Sequence, residues 1–585
     1  MVQHAVDDPA LLVVQVTRRL PLAVRLRAGR VLRLGSSLLP GGRAAAALGA
    51  FMAGDRRDAE EMLLAGTRDG GSRLRGEVAV LLGRSDLVPP NAPAETRARA
   101  AWSVGDASEA VRILDSAGRG ATTQARRLRS ELAMLTSGFR LTARREPGPT
   151  PERQEGEALR VLHLLTNSLP HTQSGYSLRS HNVLTALRDH GIESIALTRT
   201  GYPVMVGKLL CADEDVIDGI RYRRTLPARL GETPADRLEQ EVDEALRVVR
   251  EFRPHVLHAT TDYRNVLVAQ TVSAATGIPW VLEVRGLMEK TWIASLPSDA
   301  LRDRAAGSEK LRRIAAIEGE LARSASAVVT LSRTMAEVLH ERGVAPQAIT
   351  QVPNGIDASL LDEAMSPDQA RSAVSADLPP DAFAVGAVSA LVDYEGFDIL
   401  LRAVARIIGD ESAPAHVRER LHVVLAGDGT AAPYLAELAR DLDLEDRVLM
   451  PGRVPRAEAR RWVQALDVVI VPRRDLEVSR TVTPQKPVEA MALGRPVVVS
   501  DLPALRETIT DSAGRLHGAI VPPDDPDALA ATLVEALAAN GGRGETLAAA
   551  RQAAQERTWP VLMNRYELAY ARAVQQNLEE DRDGE

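Results

Sequence analysis

VPRRDLEVSRTVTPQKPVEAMALGRPVVVS, residues 471–500, decides the reading of this chain. It divides into strand, loop, helix and strand. Val471 and Pro472 close the apolar run Ala465-Leu-Asp-Val-Val-Ile-Val-Pro472, and a hydroxyl-rich, mostly basic loop follows. The helix after that loop carries Glu489 and stops at Gly494-Arg-Pro496, because glycine and proline end helices. Val497-Val-Val499 is a short apolar run of the kind that forms a buried strand. A single carboxylate on a helix entered from a cationic loop suits a nucleotide-sugar. The carboxylate accepts hydrogen bonds from ribose hydroxyls, and the cations face the diphosphate.

The same alternation extends outward on both sides. Between about 359 and 545, strands are expected at Ala384–Ser389, Leu421–Ala426, Val448–Met450, Val468–Val471, Val497–Ser500 and Ala519–Val521. Between 157 and 358 they are expected at Arg160–Thr166, Ser194–Leu197, His255–His258, Trp280–Glu283 and Ala327–Thr330, with a helix at Ser177–His190 that Ser177 caps. On that helix Leu178, Val183, Leu184 and Leu187 share a face and Arg179 points elsewhere. Repeated strand–helix alternation implies a parallel, doubly wound sheet, here twice in tandem. Residues 1–140 lack strand patterns, and Ala50-Phe-Met-Ala-Gly-Asp-Arg-Arg-Asp-Ala59 echoes Ala101-Trp-Ser-Val-Gly-Asp-Ala-Ser-Glu-Ala110. Helix–turn–helix repeats of the tetratricopeptide kind and an irregular helical bundle both fit that echo. Residues 141–156 contain Pro147, Pro149 and Pro151 and form a linker, and 546–585 is a helical C-terminal segment with an acidic tail.

These residues resemble the retaining glycosyltransferases of family 4, which have the GT-B fold. Thr483-Pro-Gln-Lys-Pro-Val-Glu-Ala-Met-Ala-Leu-Gly-Arg-Pro-Val-Val498 is similar to the donor motif of one branch, and Val352-Pro-Asn-Gly-Ile-Asp357 to the family's inter-domain crossover. The resemblance implies an α/β chain of two Rossmann-like domains facing across a cleft, after an all-α N-terminal region. The first domain would take the acceptor, the second the donor, and the C-terminal helix would pack back on the first.

The resemblance also implies roles for single residues. Glu489 holds the ribose, and Lys486, Arg473 and Arg474 balance the phosphates. Thr481, Thr483, Gly427 and Asp428 line the donor site. Gly175 lets a ligand approach the first loop, with Tyr176, Arg179, His181 and Glu283 on the acceptor side. Arg285 and His258 face the sugar as the catalytic residues. Two departures stand against the pattern. The first of two usual acids falls on Thr481, and a usual arginine and lysine fall on Ala390 and Glu395. A buried diphosphate needs positive charge, so Arg473, Arg474, Arg480 and Lys486 are the candidate replacements.

The function so implied is transfer of a sugar from a nucleoside diphosphate sugar to a hydroxyl acceptor, which many relatives carry on a lipid. It proceeds with retention, and no metal or other cofactor is expected. A GT-B epimerase using Glu283 and His258 is one alternative. An inert scaffold whose N-terminal helices bind a protein partner is another. Bulk properties narrow the setting. A net charge of −7 over 585 residues gives no sign of nucleic-acid binding, and a single cysteine, Cys211, fits a reducing cytoplasm. No apolar run is long enough to span a bilayer. The stretch 18–34, RRLPLAVRLRAGRVLRL, has six arginines and no acid. It suits either an anionic membrane surface, at the inner face of the plasma membrane, or a face of the N-terminal bundle.

Overall fold

The computed structural model describes residues 22–36, 42–53, 55–65, 73–146, 153–154, 156–208, 210–296, 298–362, 365–374, 376–538 and 544–584. The chain divides into two compact units. One is helical and takes residues 1–140 together with 230–237 and 288–318, two segments that the sequence places inside the first Rossmann-like domain. The other holds the rest.

In the helical unit both echoing segments are helix–turn–helix. Gly42–Ala53 is followed by Arg56–Ala65, and Ala94–Ser103 by Ala107–Ser116. Gly54, in the first turn, lies outside the described residues. Small apolar residues on facing sides, among them Ala47, Leu48, Leu63 and Val78, are fully buried. Segment 288–318 is tied to these helices by Lys310, whose ammonium lies 4.3 Å from the Trp292 ring and 5.6 Å from that of Trp102. Glu309 adds hydrogen bonds from the backbone and hydroxyl of Ser108. Of the basic stretch 18–34, residues 18–21 lie outside the described residues. The remainder begins the helix Leu22–Gly35, where Arg33 pairs with Asp58 while Val31 and Leu34 are exposed. Among the described residues, no helix is long and apolar enough to cross a membrane.

The second unit contains two sheets. The first is built from β1 (Arg160–Leu165), β2 (Glu193–Thr198), β3 (Glu214–Ile217), β4 (Ile220–Arg224), β5 (Val256–Thr260), β6 (Trp280–Val284), β7 (Ala327–Thr330) and β8 (Ile349–Gln351). Its order is β3-β4-β2-β1-β5-β6-β7-β8, parallel except for the β3/β4 hairpin. That hairpin and β8 were not expected from the sequence. The second sheet has β9 (Phe383–Val388), β10 (Leu421–Ala426), β11 (Val448–Gly452), β12 (Val468–Val471), β13 (Val497–Ser500) and β14 (Ala519–Val521), in the order β11-β10-β9-β12-β13-β14. Each sheet reverses direction once, between β1 and β5 and between β9 and β12. Such a switch point opens a crevice beyond the carboxyl ends of its strands.

The central strands are buried on both faces, which is why they read as unbroken apolar runs. On the second sheet the helix Phe397–Gly409 buries Phe397, Leu400, Leu401, Val404 and Ile407, each worth about 1.5–3 kcal/mol by transfer. On the first sheet the helix Trp559–Gly584 lays Trp559, Leu562, Met563, Tyr566, Ala569, Tyr570 and Ala573 against Val161, Val256, Val281 and Val329.

Gly386 is the tightest point of the second sheet. Its φ is +153°, and a Cβ there would stand 1.9 Å from the carbonyl oxygen of Val424 on β10. Gly386→Ala should therefore cost about 3 kcal/mol or more. Calorimetry should show a melting temperature lower by on the order of 10 °C.

Candidate active site

At the first switch point, register explains an unusual buried cluster. His163 on β1 pairs with His258 on β5, which stacks their rings 4.5 Å apart. Glu283, near the end of β6, is completely buried. It receives hydrogen bonds from Arg179 (2.8 and 3.0 Å), Arg285 (2.6 Å) and the Tyr566 hydroxyl (2.8 Å). Burial opposes its charge, but Arg285 and Arg179 hold its carboxyl well below the usual carboxylate range. Burial lowers His258, so its ring is neutral. An ionised carboxylate only accepts, so His258 Nε2–H donates to Glu283 (3.2 Å) and Nδ1 accepts from Tyr570 (2.8 Å).

This corrects four expectations. His258 is fully buried between Glu283 and Tyr570, so it does not face the sugar. Arg285 is 3% exposed, and its two terminal nitrogens donate to Glu283, the Tyr176 carbonyl and the Ser180 hydroxyl, while its buried Nε has no acceptor among the described residues. Arg179 points inward to Glu283 and also donates to the carbonyls of Val352 and Pro353 and to Asn354 Oδ1. Glu283 is the centre of the cluster and not an acceptor-side group. His181 is buried too, between the Tyr222 hydroxyl (2.8 Å) and Asp218 (2.9 Å). The helix beginning at Gly175 is capped by Ser174, not Ser177. Gly175 itself borders open space, and Tyr176 is half-exposed.

The cluster reaches the second lobe through one side chain. Asn354 accepts from Arg179 and donates to the Thr483 carbonyl at 2.9 Å. Gln485 donates to the Gly355 carbonyl at 3.2 Å. Thr483 is thus a tether between lobes. Thr481 is turned into its own helix, its hydroxyl donating to the Glu477 carbonyl.

At the second switch point, loops after β9, β10 and β12 meet the first turn of the helix Lys486–Ala492. Gly427, directly after β10, has φ +152°, and a Cβ there would lie 1.8 Å from the Ser389 carbonyl oxygen, so only glycine lets these loops meet. Asp428 is exposed and its carboxylate accepts from the Gly429 N–H. Lys486 Nζ donates to Ser389 Oγ (2.7 Å) and Glu395 (2.5 Å). Arg473, 7% exposed, donates to Glu395 (2.9 Å) and the Val482 carbonyl (2.9 Å). Burial opposes the Glu395 charge, but Arg473 and Lys486 bring its carboxyl down to about 2.

Arg474 is corrected as a phosphate ligand. Asp398 (2.6 Å), Asp524 (3.1 Å) and Asp393 (3.8 Å) surround it. Arg480 is likewise paired, with Asp475. Glu489 differs from all of these. It is half-buried in the first helical turn, and among the described residues no side chain or backbone group hydrogen-bonds its carboxylate. Burial pushes it up, against the pull of Arg460 and Lys486. Arg460, held by Asp357 (3.2 Å) and Ser359 (3.1 Å), was not foreseen in the sequence, nor was the pairing of Glu395. Glu395 showed only as a missing cation. The signal available was that an acid placed among cations must pair with them.

Comparison with known proteins follows the same division. Residues 380–539 match the family described as glycosyl transferases group 1, and residues 174–355 match the glycosyl transferase 4-like domain. A D-inositol 3-phosphate glycosyltransferase of Kineococcus radiotolerans is 32% identical over 249 residues, covering 41% of this chain and 55% of that protein. D-inositol 3-phosphate glycosyltransferase 1 of Catenulispora acidiphila is 28% identical over 455 residues, covering 74% of this chain and 99% of that protein. The chain thus spans about half the length of several curated relatives and nearly all of the second. Sucrose-phosphate synthase from Thermosynechococcus elongatus superposes with a TM-score of 0.55 at 19% identity, covering 70% of this chain and 98% of that one. Anabaena HepE in complex with UDP gives 0.51 at 17%, covering 71% and 99%. Those two likenesses establish the fold.

Two Rossmann-like lobes of this topology define the GT-B fold, and the glycosyl transferase domains matched to them make the chain a transferase. The chain belongs to the group 1 glycosyltransferases.

Two outcomes are expected of the buried carboxylates. Glu283→Gln leaves two guanidiniums uncompensated and should cost about 3–5 kcal/mol in denaturant titration. The Glu283 pKa is depressed on folding, so its contribution is present above about pH 4.3 and is lost as pH falls toward the folded value. Glu241 behaves oppositely. It is fully buried, accepts one bond from the Thr200 N–H, and burial raises it to about 7. A raised carboxyl weakens the fold as pH climbs from about 4.3 to 7. Glu241→Gln should therefore stabilise at pH ~8, by on the order of 3 kcal/mol at most, and that gain should vanish near pH 4. Melting curves at both values check it.

Proposed function

We propose that this enzyme transfers a sugar from a nucleoside diphosphate sugar to a hydroxyl acceptor with retention at the anomeric carbon. The observation that carries the reading is Glu489, a half-buried carboxylate with no hydrogen-bond donor among the described residues. It lies one helical turn from Lys486, which meets Ser389 at the second switch point. A group so placed lacks only the donors that ribose hydroxyls supply.

In this reading the ribose sits on Glu489, and the diphosphate lies by Gly427 and the helix beginning at Lys486. The sugar extends toward Tyr176 of the first lobe. The leaving diphosphate accepts the proton of the attacking hydroxyl on the same face, so no protein nucleophile takes part. The protein's task is positioning and charge stabilisation, with side chains in place of a metal. HepE is described in complex with UDP, which supports a nucleoside diphosphate as the donor's leaving part. The relatives' name, D-inositol 3-phosphate glycosyltransferase, makes a phosphorylated cyclic polyol the first acceptor to try. The epimerase alternative loses its support, because Glu283 and His258 are sealed from any sugar. A cytoplasmic setting, with residues 18–34 against an anionic membrane, belongs to the same proposal and is read by vesicle co-sedimentation.

The direct test is a thermal-shift panel of nucleoside diphosphates and their sugars. One nucleotide-sugar should raise the melting temperature by mass action. Glu489→Ala should lose a charged hydrogen bond of roughly 1.5–3 kcal/mol and lower kcat/KM on the order of 10- to 100-fold, with the fold intact. Unchanged efficiency would remove Glu489 from the donor site.

A further inference from the structure

We infer that Glu395 is a positioning residue of the donor site, locking Lys486 and Arg473 into one ion triad that presents a single net positive charge to the leaving diphosphate. This rests on the donor-site reading given above.

The three side chains come from three different elements: the loop after β9, the loop after β12, and the start of the helix Lys486–Ala492. Glu395 is 4% exposed, and each of its oxygens serves one cation. Both oxygens are thus spent on cations, and almost none of the carboxylate is open to a phosphate. Lys486 has three N–H donors. Glu395 and Ser389 take two, and the third has no acceptor among the described residues. Arg473 gives its two Nη groups to Glu395 and Val482, and its buried Nε has no acceptor among the described residues. The triad therefore fixes both cations and still keeps donor capacity in reserve. Two cations less one carboxylate leave one positive charge.

The arrangement also sets the charge state of Lys486. A mostly buried ammonium tends to lose its proton. The groups that face it are Glu395, Arg473, Glu489, the Ser389 hydroxyl and the Phe397 ring. Tyr394 and Tyr176 face Arg473. Burial lowers Lys486 and Arg473 lowers it further, and Glu395 is the strongest group acting the other way. Remove that one negative charge, and the ammonium is left beside a buried guanidinium with only Glu489 in support. Glu395 thus acts through Lys486 and does not touch the ligand.

The experiment is the affinity of UDP, GDP, ADP and dTDP measured from about pH 6 to 10, spanning the free-lysine range from below. It is run on wild type, E395Q and K486R, with the melting temperature recorded for each. Wild type should bind one of the four, with affinity falling at alkaline pH as Lys486 loses its proton. In E395Q that fall should begin at least about one pH unit lower, so that affinity relative to wild type drops toward about tenfold at the alkaline end of the range. K486R keeps Glu395 and carries a cation that does not titrate, so its alkaline fall should disappear. It keeps the inference falsifiable should E395Q fail to fold. A folded E395Q that matches wild type in affinity and pH profile overturns the inference alone. So does a K486R that retains the wild-type fall. A wild type that binds none of the four nucleotides overturns the donor-site reading and the inference with it.

Discussion

One buried carboxylate organises the two-lobed unit. Glu283 has no exposed surface, and taking such a charge out of water costs several kcal/mol unless every lone pair is met. Arg179, Arg285, His258 and Tyr566 meet them. Each partner belongs to a different element, so the carboxylate pins four of them at once. Through Arg285 it holds the carbonyl of Tyr176 in the first loop. Through Arg179 it holds Val352, Pro353 and Asn354 at the crossover, and Asn354 passes the constraint to Thr483 beside the donor helix. It also explains why the chain returns to the first lobe at its end. The helix from Trp559 brings the Tyr566 hydroxyl to Glu283 and the Tyr570 hydroxyl to His258, and buries its apolar face on the sheet.

The second lobe shows the contrast that separates framework from site. Arg474 is surrounded by three aspartates, and Arg473 and Lys486 share Glu395. Glu489, one turn along, has no such partner among the described residues. Glu489 is partly buried, and burial without a bonded cation or donor disfavours its charged form. Its raised pKa is the same fact seen electrostatically. The fold tolerates that cost where a ligand completes the bonding.

The fold was largely legible, and the reason is physical. Strands buried on both faces, such as Val468–Val471 and Val497–Ser500, are continuous apolar runs with glycine or proline near their ends, and all six strands of the second sheet lie where those runs predict. The β3/β4 hairpin escaped because β3 is only partly buried and arginines and acids fill five of the nine strand positions. Segment 288–318 escaped because amphipathic helices look alike whichever core they join. The site was less legible. Strand-end residues such as His258, Glu283 and Arg285 read as cleft-facing, but sequence position does not reveal that a distant helix supplies tyrosines to cover them. Arg473 and Arg474 are neighbours with the same side chain and different partners, and that difference arises only when the loops after β9 and β12 close on each other. Ser389, Glu395 and Lys486 are likewise far apart in sequence and adjacent only in the fold.

The most direct measurement is a crystal structure of the protein with its nucleoside diphosphate bound. The account predicts ribose hydroxyls on the Glu489 carboxylate and phosphate oxygens between Gly427 and the Lys486 ammonium. Glu395 should still bridge Lys486 and Arg473, and Glu283 should remain bonded to Arg179, Arg285 and Tyr566. A nucleotide bound away from Glu489, or phosphates held by an Arg474 released from its aspartates, would contradict it.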